Sequence, residues 1–156
     1  ALLVLAMAVA AGGCGFHMQG ATALPPGIHK VHVSGKDELS PFAVELRRAL
    51  DDAGAAVAPS AGEADAVIRV TQDRTGRRVL SVSARNTPQE YQIFYSIEFS
   101  IARGDEQVVK PQAIELTRTY SFSESDLLAM DCEENILREA IARDLAGLVL
   151  RRLESL

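Results

Sequence analysis

The chain has 156 residues, of which 47% are hydrophobic and 24% charged, enough apolar material for one buried core and too much for a chain disordered by composition. A formal net charge of -5 excludes the overall basic excess with which general nucleic-acid binders displace counterions. With no Trp, three Tyr and five Phe, a stacking platform for bases is excluded too, so no nucleic-acid partner is expected.

Ala1 to Gly13 form an uncharged run, ALLVLAMAVAAGG, shorter than the about 20 apolar residues that a membrane-spanning helix needs. Its length suits the apolar region of a signal peptide. The small residues Gly12-Gly13 before Cys14 resemble a bacterial lipobox, in which a peptidase accommodates small side chains beside a diacylglycerol-modified cysteine; Ala11 stands where that motif usually has Leu or Val. Residues 1–13 are therefore read as the end of a removed signal peptide whose charged start lies upstream of Ala1, and Cys14 as the lipidation site. Each buried lipid CH₂ contributes about 0.8 kcal/mol, so a triacylated cysteine stays in its membrane. Gly15 rather than Asp after the cysteine directs the expectation to the outer membrane. Covalent lipid on Cys14 is the one added group expected, with no other cofactor.

Residues 14–27 read as lipid anchor and connector, with Pro25-Pro26 near the end, and residues 28–156 as a single domain. Ile28, Val31 and Val33 predict a first strand, ended by Ser34-Gly35. Ser40-Pro41 supplies an N-cap and a first-turn proline, and Phe42, Leu46, Ala49, Leu50 and Ala53 recur at helical spacing before Gly54. Ala55 to Gly62 reads as loop. From Ala66 a β-branched strand runs to Gln72, with Arg74-Thr75-Gly76-Arg77 as a turn into Val79–Ala84, giving a hairpin or a long bent strand pair. Tyr91, Ile93, Tyr95, Ile97, Phe99 and Ile101 then alternate with polar residues, Phe94 being the exception on the polar side. Gly104-Asp105 makes a turn into a last strand, where Arg118 shares the side of Ile114, Leu116, Tyr120 and Phe122. Ser123 and Asp126 have capping-box spacing ahead of a long helix that carries Leu127, Leu128, Ile136, Leu137, Ile141, Leu145, Leu148, Val149 and Leu153. The expected fold class is α+β: two helices packed on one face of a roughly four-stranded mixed or antiparallel sheet.

No residue pattern predicts catalysis, and the chain is not expected to be an enzyme. His29 and His32 fall on opposite faces of a strand and cannot share a metal, so no metal site is expected. Asp51-Asp52 and Glu133-Glu134 are adjacent on helices and point in different directions, which suits solvent exposure. Gly-rich phosphate loops and nucleophile elbows are absent. With Cys14 modified, Cys132 is the remaining thiol, so no internal disulfide can form; four residues from both Leu128 and Ile136, it reads as a small buried apolar residue. Binding has more material. Arg69, Arg74, Arg77, Arg78 and Arg85 gather in the hairpin region, able either to hold phosphate by charge-assisted bonds or simply to keep a turn solvated.

Cys14-Gly15-Phe16-His17-Met18-Gln19-Gly20 resembles the CGFHLRG start of the mature LptE family of lipopolysaccharide-assembly lipoproteins, as do Glu90-Tyr91-Gln92 and the stretch from Leu116 to Leu153. The resemblance implies an outer-membrane lipoprotein, held by its lipid on the periplasmic side, that plugs the lumen of the LptD β-barrel as a heterodimer, assists its assembly and binds lipopolysaccharide for insertion into the outer leaflet. It places the family's basic ligand position at Arg85. Arg118, Arg77 and Arg78 are further lipopolysaccharide-binding candidates by their charge, Arg118 with the alternative of pairing an acid beside the sheet. Met130 stands where the family often has lysine, and Gln19 where it usually has Arg. A second reading is a periplasmic lipoprotein that binds phospholipid or another apolar ligand between sheet and helices.

Overall fold

The computed structural model describes residues 24–121 and 127–156, with side chains in the last helix from residue 131. Cys14, Gln19, Phe122, the Ser123/Asp126 cap and the Leu127, Leu128 and Met130 side chains lie outside the described residues. In chain order the elements are β1 (Lys30–Ser34), α1 (Pro41–Asp52), β2 (Ala56–Val57), a short 3-10 turn (Ala61–Glu63), β3 (Ala66–Val82), β4 (Pro88–Arg103), β5 (Glu106–Ser121) and α2 (Leu127–Glu154). The five strands form one sheet in the order β2-β1-β3-β4-β5. β1 runs parallel to both its neighbours, while β3, β4 and β5 form an antiparallel meander. The α+β class and the two-helix layer are as expected, with one strand more.

That extra strand, β2, lies in the stretch read as loop. Two residues are too few for a periodic pattern to register, and the strand is fixed by its ladder: Ala56 N–H donates to His29 O at 2.8 Å and Ala58 N–H to Val31 O at 2.9 Å. α1 begins and ends as its sequence dictates. Ser40 Oγ accepts from Ala43 N–H at 3.1 Å. At the other end Ala55 N–H reaches Leu50 O and Gly54 N–H reaches Asp51 O, both at 2.9 Å, a Schellman closure that needs Gly54 at φ +81°.

The larger difference is in β3, which runs unbroken through Arg74–Arg77 where a turn was expected. Gly76 is there for a neighbour rather than a turn. It pairs with Phe94, and a Cβ on Gly76 would come within 2.8 Å of the Phe94 ring. The Arg78 guanidinium lies 4.5 Å above the same ring, which accounts for an aromatic on the polar side of β4. A register shift between Val70 and Gln72 also hides the alternation, because it switches the inward set from Ala66, Ile68 and Val70 to Asp73, Thr75 and Arg77. The true reversal spans Ser83–Thr87, with Asn86 at φ 61°. Gly76→Val is expected to destabilise by about 2 kcal/mol through overpacking against Phe94, read as a lower urea midpoint. In a Phe94→Ala background the cost should vanish, and an equal cost in both backgrounds would refute the assignment.

β4 supplies the centre of the core: Ile93, Tyr95, Ile97, Phe99 and Ile101 are fully buried beneath Ile141, Leu145, Val149 and Leu153 of α2 and Phe42, Leu46 and Leu50 of α1. On α2 the sequence reading placed the buried stripe wrongly. Cys132 is exposed, and so is Ile136, at 60%. At 100° per residue Cys132 points about 180° away from Ile141, whereas Glu134 stands on the Leu137-Ile141-Leu145 side. Accordingly Glu134, expected in solvent, is 4% exposed. No described helix is long and apolar enough to cross a membrane.

The other face of the sheet has no described helix against it. It presents Arg69, Arg74 and Arg78 from β3, Gln92, Phe94, Ser96 and Glu98 from β4, and Glu115 and Thr117 from β5. Since β1 pairs with β3 through Arg69 and no further, the edge of β3 from Val70 to Val82 has no strand beside it among the described residues, nor has the outer edge of β5.

Candidate binding surface

The four arginines expected to bind phosphate do not converge. Arg85 sits in the β3–β4 turn, exposed, and its guanidinium has no hydrogen bond or ion pair among the described residues. The turn fixes its backbone: Ser83 Oγ accepts from Arg85 N–H at 3.3 Å and Thr87 N–H at 3.2 Å, and Ser83 N–H donates to Thr87 O at 2.7 Å. Arg78 lies on the open face, half-exposed, with Nη2 2.7 Å from Glu115 Oε1. Arg77 and Arg118 point to the helix side, two strands apart across Ile93. Arg118 Nη2 is 2.6 Å from Asp144 Oδ2 of α2, and both groups are about half exposed.

Arg77 belongs to a cluster that sequence reasoning missed. Its Nη1 lies 2.5 Å from Glu134 Oε1, and its guanidinium stands 5.0 Å over the Tyr91 ring. Tyr91 in turn stacks on Tyr120 with ring centroids 5.7 Å apart. The Tyr120 hydroxyl donates to Glu134 Oε1, and Arg138 Nη2 binds Glu134 Oε2 at 2.7 Å. Burial alone raises the Glu134 carboxyl, but the bonds from Tyr120 and Arg77, with the Arg138 charge, outweigh it and leave the group below its ordinary value. Burial and the facing carboxylate push the Tyr120 hydroxyl up to about 12. The bond to Glu134 raises Arg77 as well. The sequence signal was a carboxylate on the apolar side of α2, with a tyrosine and an arginine on the inward sides of β5 and β3.

This cluster ties α2 to the far end of the meander and makes Arg77 a structural cation. Arg78 and Arg118 are different: exposed ion pairs contribute about 0–1 kcal/mol, so either can exchange its carboxylate for another anion. Of the remaining cations on β3, Arg74 bonds Gln72 at 3.3 Å and Arg69 has no partner among the described residues. His29 is exposed, and His32 Nδ1–H donates to Ala58 O at 3.0 Å. Among the described residues no group of three His, Cys, Asp or Glu side chains could hold a metal ion. Leu46, Leu50, Tyr95, Phe99 and Leu145 fill the space between helices and sheet.

Comparison with known proteins gives this surface its context. The chain is 26% identical over 153 residues to the LPS-assembly lipoprotein LptE of Pectobacterium atrosepticum, an overlap of 97% of this chain and 83% of the relative. It is equally similar to the protein of that name from Photorhabdus laumondii, at 26% over 97% of this chain and 82% of the relative. Its fold matches the solution structure of an uncharacterized lipoprotein B from Nitrosomonas europaea, with TM-score 0.76, 24% identity and coverage of 90% and 91% of the two chains. It also matches the crystal structure of rare lipoprotein B from Shewanella oneidensis, with TM-score 0.70, 24% identity and coverage of 81% and 94%. The profile of the family described as LptE, Lipopolysaccharide-assembly, matches residues 28–153, the whole α+β unit from the approach to β1 to the end of α2, and the chain belongs to that family.

Proposed function

We propose that the chain is a noncatalytic lipoprotein subunit of the outer-membrane lipopolysaccharide translocon, anchored by lipid on Cys14, plugging the LptD β-barrel from its periplasmic side and binding lipopolysaccharide at its surface. The observation that carries this reading, in a member of the LptE family, is a polar sheet face with no helix against it among the described residues. Helices cover one side, and the other offers Arg74, Arg78, Gln92, Ser96 and Glu98 to whatever lies against it. The lumen of a wide barrel is polar, and a five-stranded wedge with a largely polar face suits it. A closed helix–sheet interface disfavours the second reading, a carrier of phospholipid between the layers.

Within this function Arg85 is the first phosphate ligand, uncommitted and raised on a turn. Arg78 and Arg118 join it by exchanging weak surface pairs, and Arg77 stays with Glu134. The test is affinity capture of the tagged full chain from detergent-extracted outer membranes, with mass analysis of its mature N-terminus. An integral barrel and an acylated Cys14 are expected; a free monomer carrying extractable phospholipid would favour the second reading. Arg85→Glu is expected to weaken lipopolysaccharide binding about tenfold while the barrel complex still forms. Unchanged binding would remove Arg85 from the site.

A further inference from the structure

The open sheet face has a second feature, far from Arg85. Where β3 and β4 meet the β4–β5 turn, Val67, Arg69, Ser100, Ala102, Asp105 and Gln107 line a cleft of about 270 Å³. Its walls follow from the register. Arg69 stands opposite Ser100, Val67 opposite Ala102, and Ala102 opposite Gln107, so five of the side chains fall on neighbouring positions of three strands, and Asp105 joins them from the β4–β5 turn. β4 pairs irregularly with β5 between Phe99 and Ala102, which opens the ladder beside Ser100. Arg69 lies about 45 Å along β3 from the Ser83–Thr87 turn at ~3.3 Å per residue.

The polar groups here are uncommitted. The side chains of Arg69, Ser100, Asp105 and Gln107 make no hydrogen bond or ion pair among the described residues. Farther along the same strand Arg74, Arg77 and Arg78 each bond a Gln or Glu. Ser100 is nonetheless 7% exposed, its hydroxyl set into the floor of the cleft rather than on a rim. The donor set is mixed. A guanidinium pairs with a carboxylate or phosphate in planar, charge-assisted fashion. A carboxylate, an amide and a hydroxyl together both accept from and donate to ligand hydroxyls, and Val67 and Ala102 give a small apolar floor for ring C–H groups. A simple anion would use Arg69 and be repelled by Asp105. A polyhydroxylated ring bearing one acidic group uses all four. The volume is just below the about 300 Å³ at which drug-sized sites begin, so it suits one ring and not a chain.

We infer that this cleft is a binding site for an acidic monosaccharide unit, with Arg69 on the anionic group and Asp105, Gln107 and Ser100 on ring hydroxyls. The site stands whether or not Arg85 binds phosphate. The test is nuclear magnetic resonance titration of the full chain with glucosamine 1-phosphate, following the Arg69 Nε–H and Gln107 side-chain amide signals. Saturable shifts at both are expected, with inorganic phosphate and methyl glucoside each binding at least about tenfold more weakly. Arg69→Gln and, separately, Gln107→Leu should each weaken the sugar phosphate about tenfold, whereas Arg152→Gln, at an exposed position of α2, should leave it unchanged. Both altered residues are exposed, and an unchanged thermal midpoint verifies folding. Repetition with lipopolysaccharide micelles identifies the source: shifts at the same signals support a lipid-borne sugar, and shifts with the soluble sugar phosphate alone support a free one. Equal affinity for inorganic phosphate, no saturable shift with either source, or undiminished binding in Arg69→Gln would overturn the proposal.

Discussion

Tyr95→Ala is expected to cost about 4 kcal/mol, the largest effect of any single change considered, because large aromatic truncations in a closed core lose about 3–5 kcal/mol. Tyr95 is fully buried at the middle of the central strand of the meander. Its hydroxyl accepts from Phe42 N–H of the first turn of α1 at 3.2 Å and faces Asp73, which itself accepts from Ser40 Oγ at 2.5 Å. One side chain therefore fills the core and also completes the hydrogen bonding of a buried helix start. Tyr95→Phe separates the two roles. It keeps the ring and leaves Phe42 N–H unpaired, for an expected loss of about 1–2 kcal/mol. Urea unfolding of both variants measures the split. A Tyr95→Phe variant as unstable as Tyr95→Ala would mean that the ring packs no core.

The second large effect is at Glu134. Removing one member of a buried ion pair costs about 3–5 kcal/mol when the other charge is stranded. Arg77 and Arg138 keep partial access to water, at 48% and 26% exposure, so about 2–3 kcal/mol is expected for Glu134→Ala. Acid should have a related effect. The folded-state pKa of Glu134 lies below its ordinary value of 4.5, so its contribution is fully present above that value and is lost as pH falls through the lower folded one. The wild type should therefore lose more stability than Glu134→Gln between about pH 5 and pH 3. Parallel pH profiles for the two would show that the carboxylate is not held as charged.

How far these features could be read in advance depended on the size of the pattern that carried them. α1 was legible to its ends, because Ser40, Pro41 and Gly54 each act within one turn. β4 was legible because an unbroken alternation leaves no other face to bury. β3 misled because two local facts imitate a turn: a glycine placed for the Phe94 ring, and a register shift that swaps the inward set. α2 misled at Cys132 and Glu134 because four-residue steps drift around a helix, so Cys132 and Ile136 trace a different stripe from the buried one. At the surface, residue type and clustering identified the arginines, but their commitments are set by strand register and by α2, which only the folded chain brings together.

The strand margins that have no neighbour among the described residues have a consequence for the protein before it meets any companion. Exposed backbone donors and acceptors along a lengthy strand invite another chain to zip on, and proteins resist this with charge, proline and irregular pairing. Here one margin bears Arg74, Arg77 and Arg78 with a bulge near Thr71, and the other bears Lys110 and Pro111 at a break in the ladder. Like charges on two such margins oppose one another when copies approach, so fibre-like growth is discouraged while the chain is solitary. Its associations are thereby left to side-chain recognition instead of strand addition.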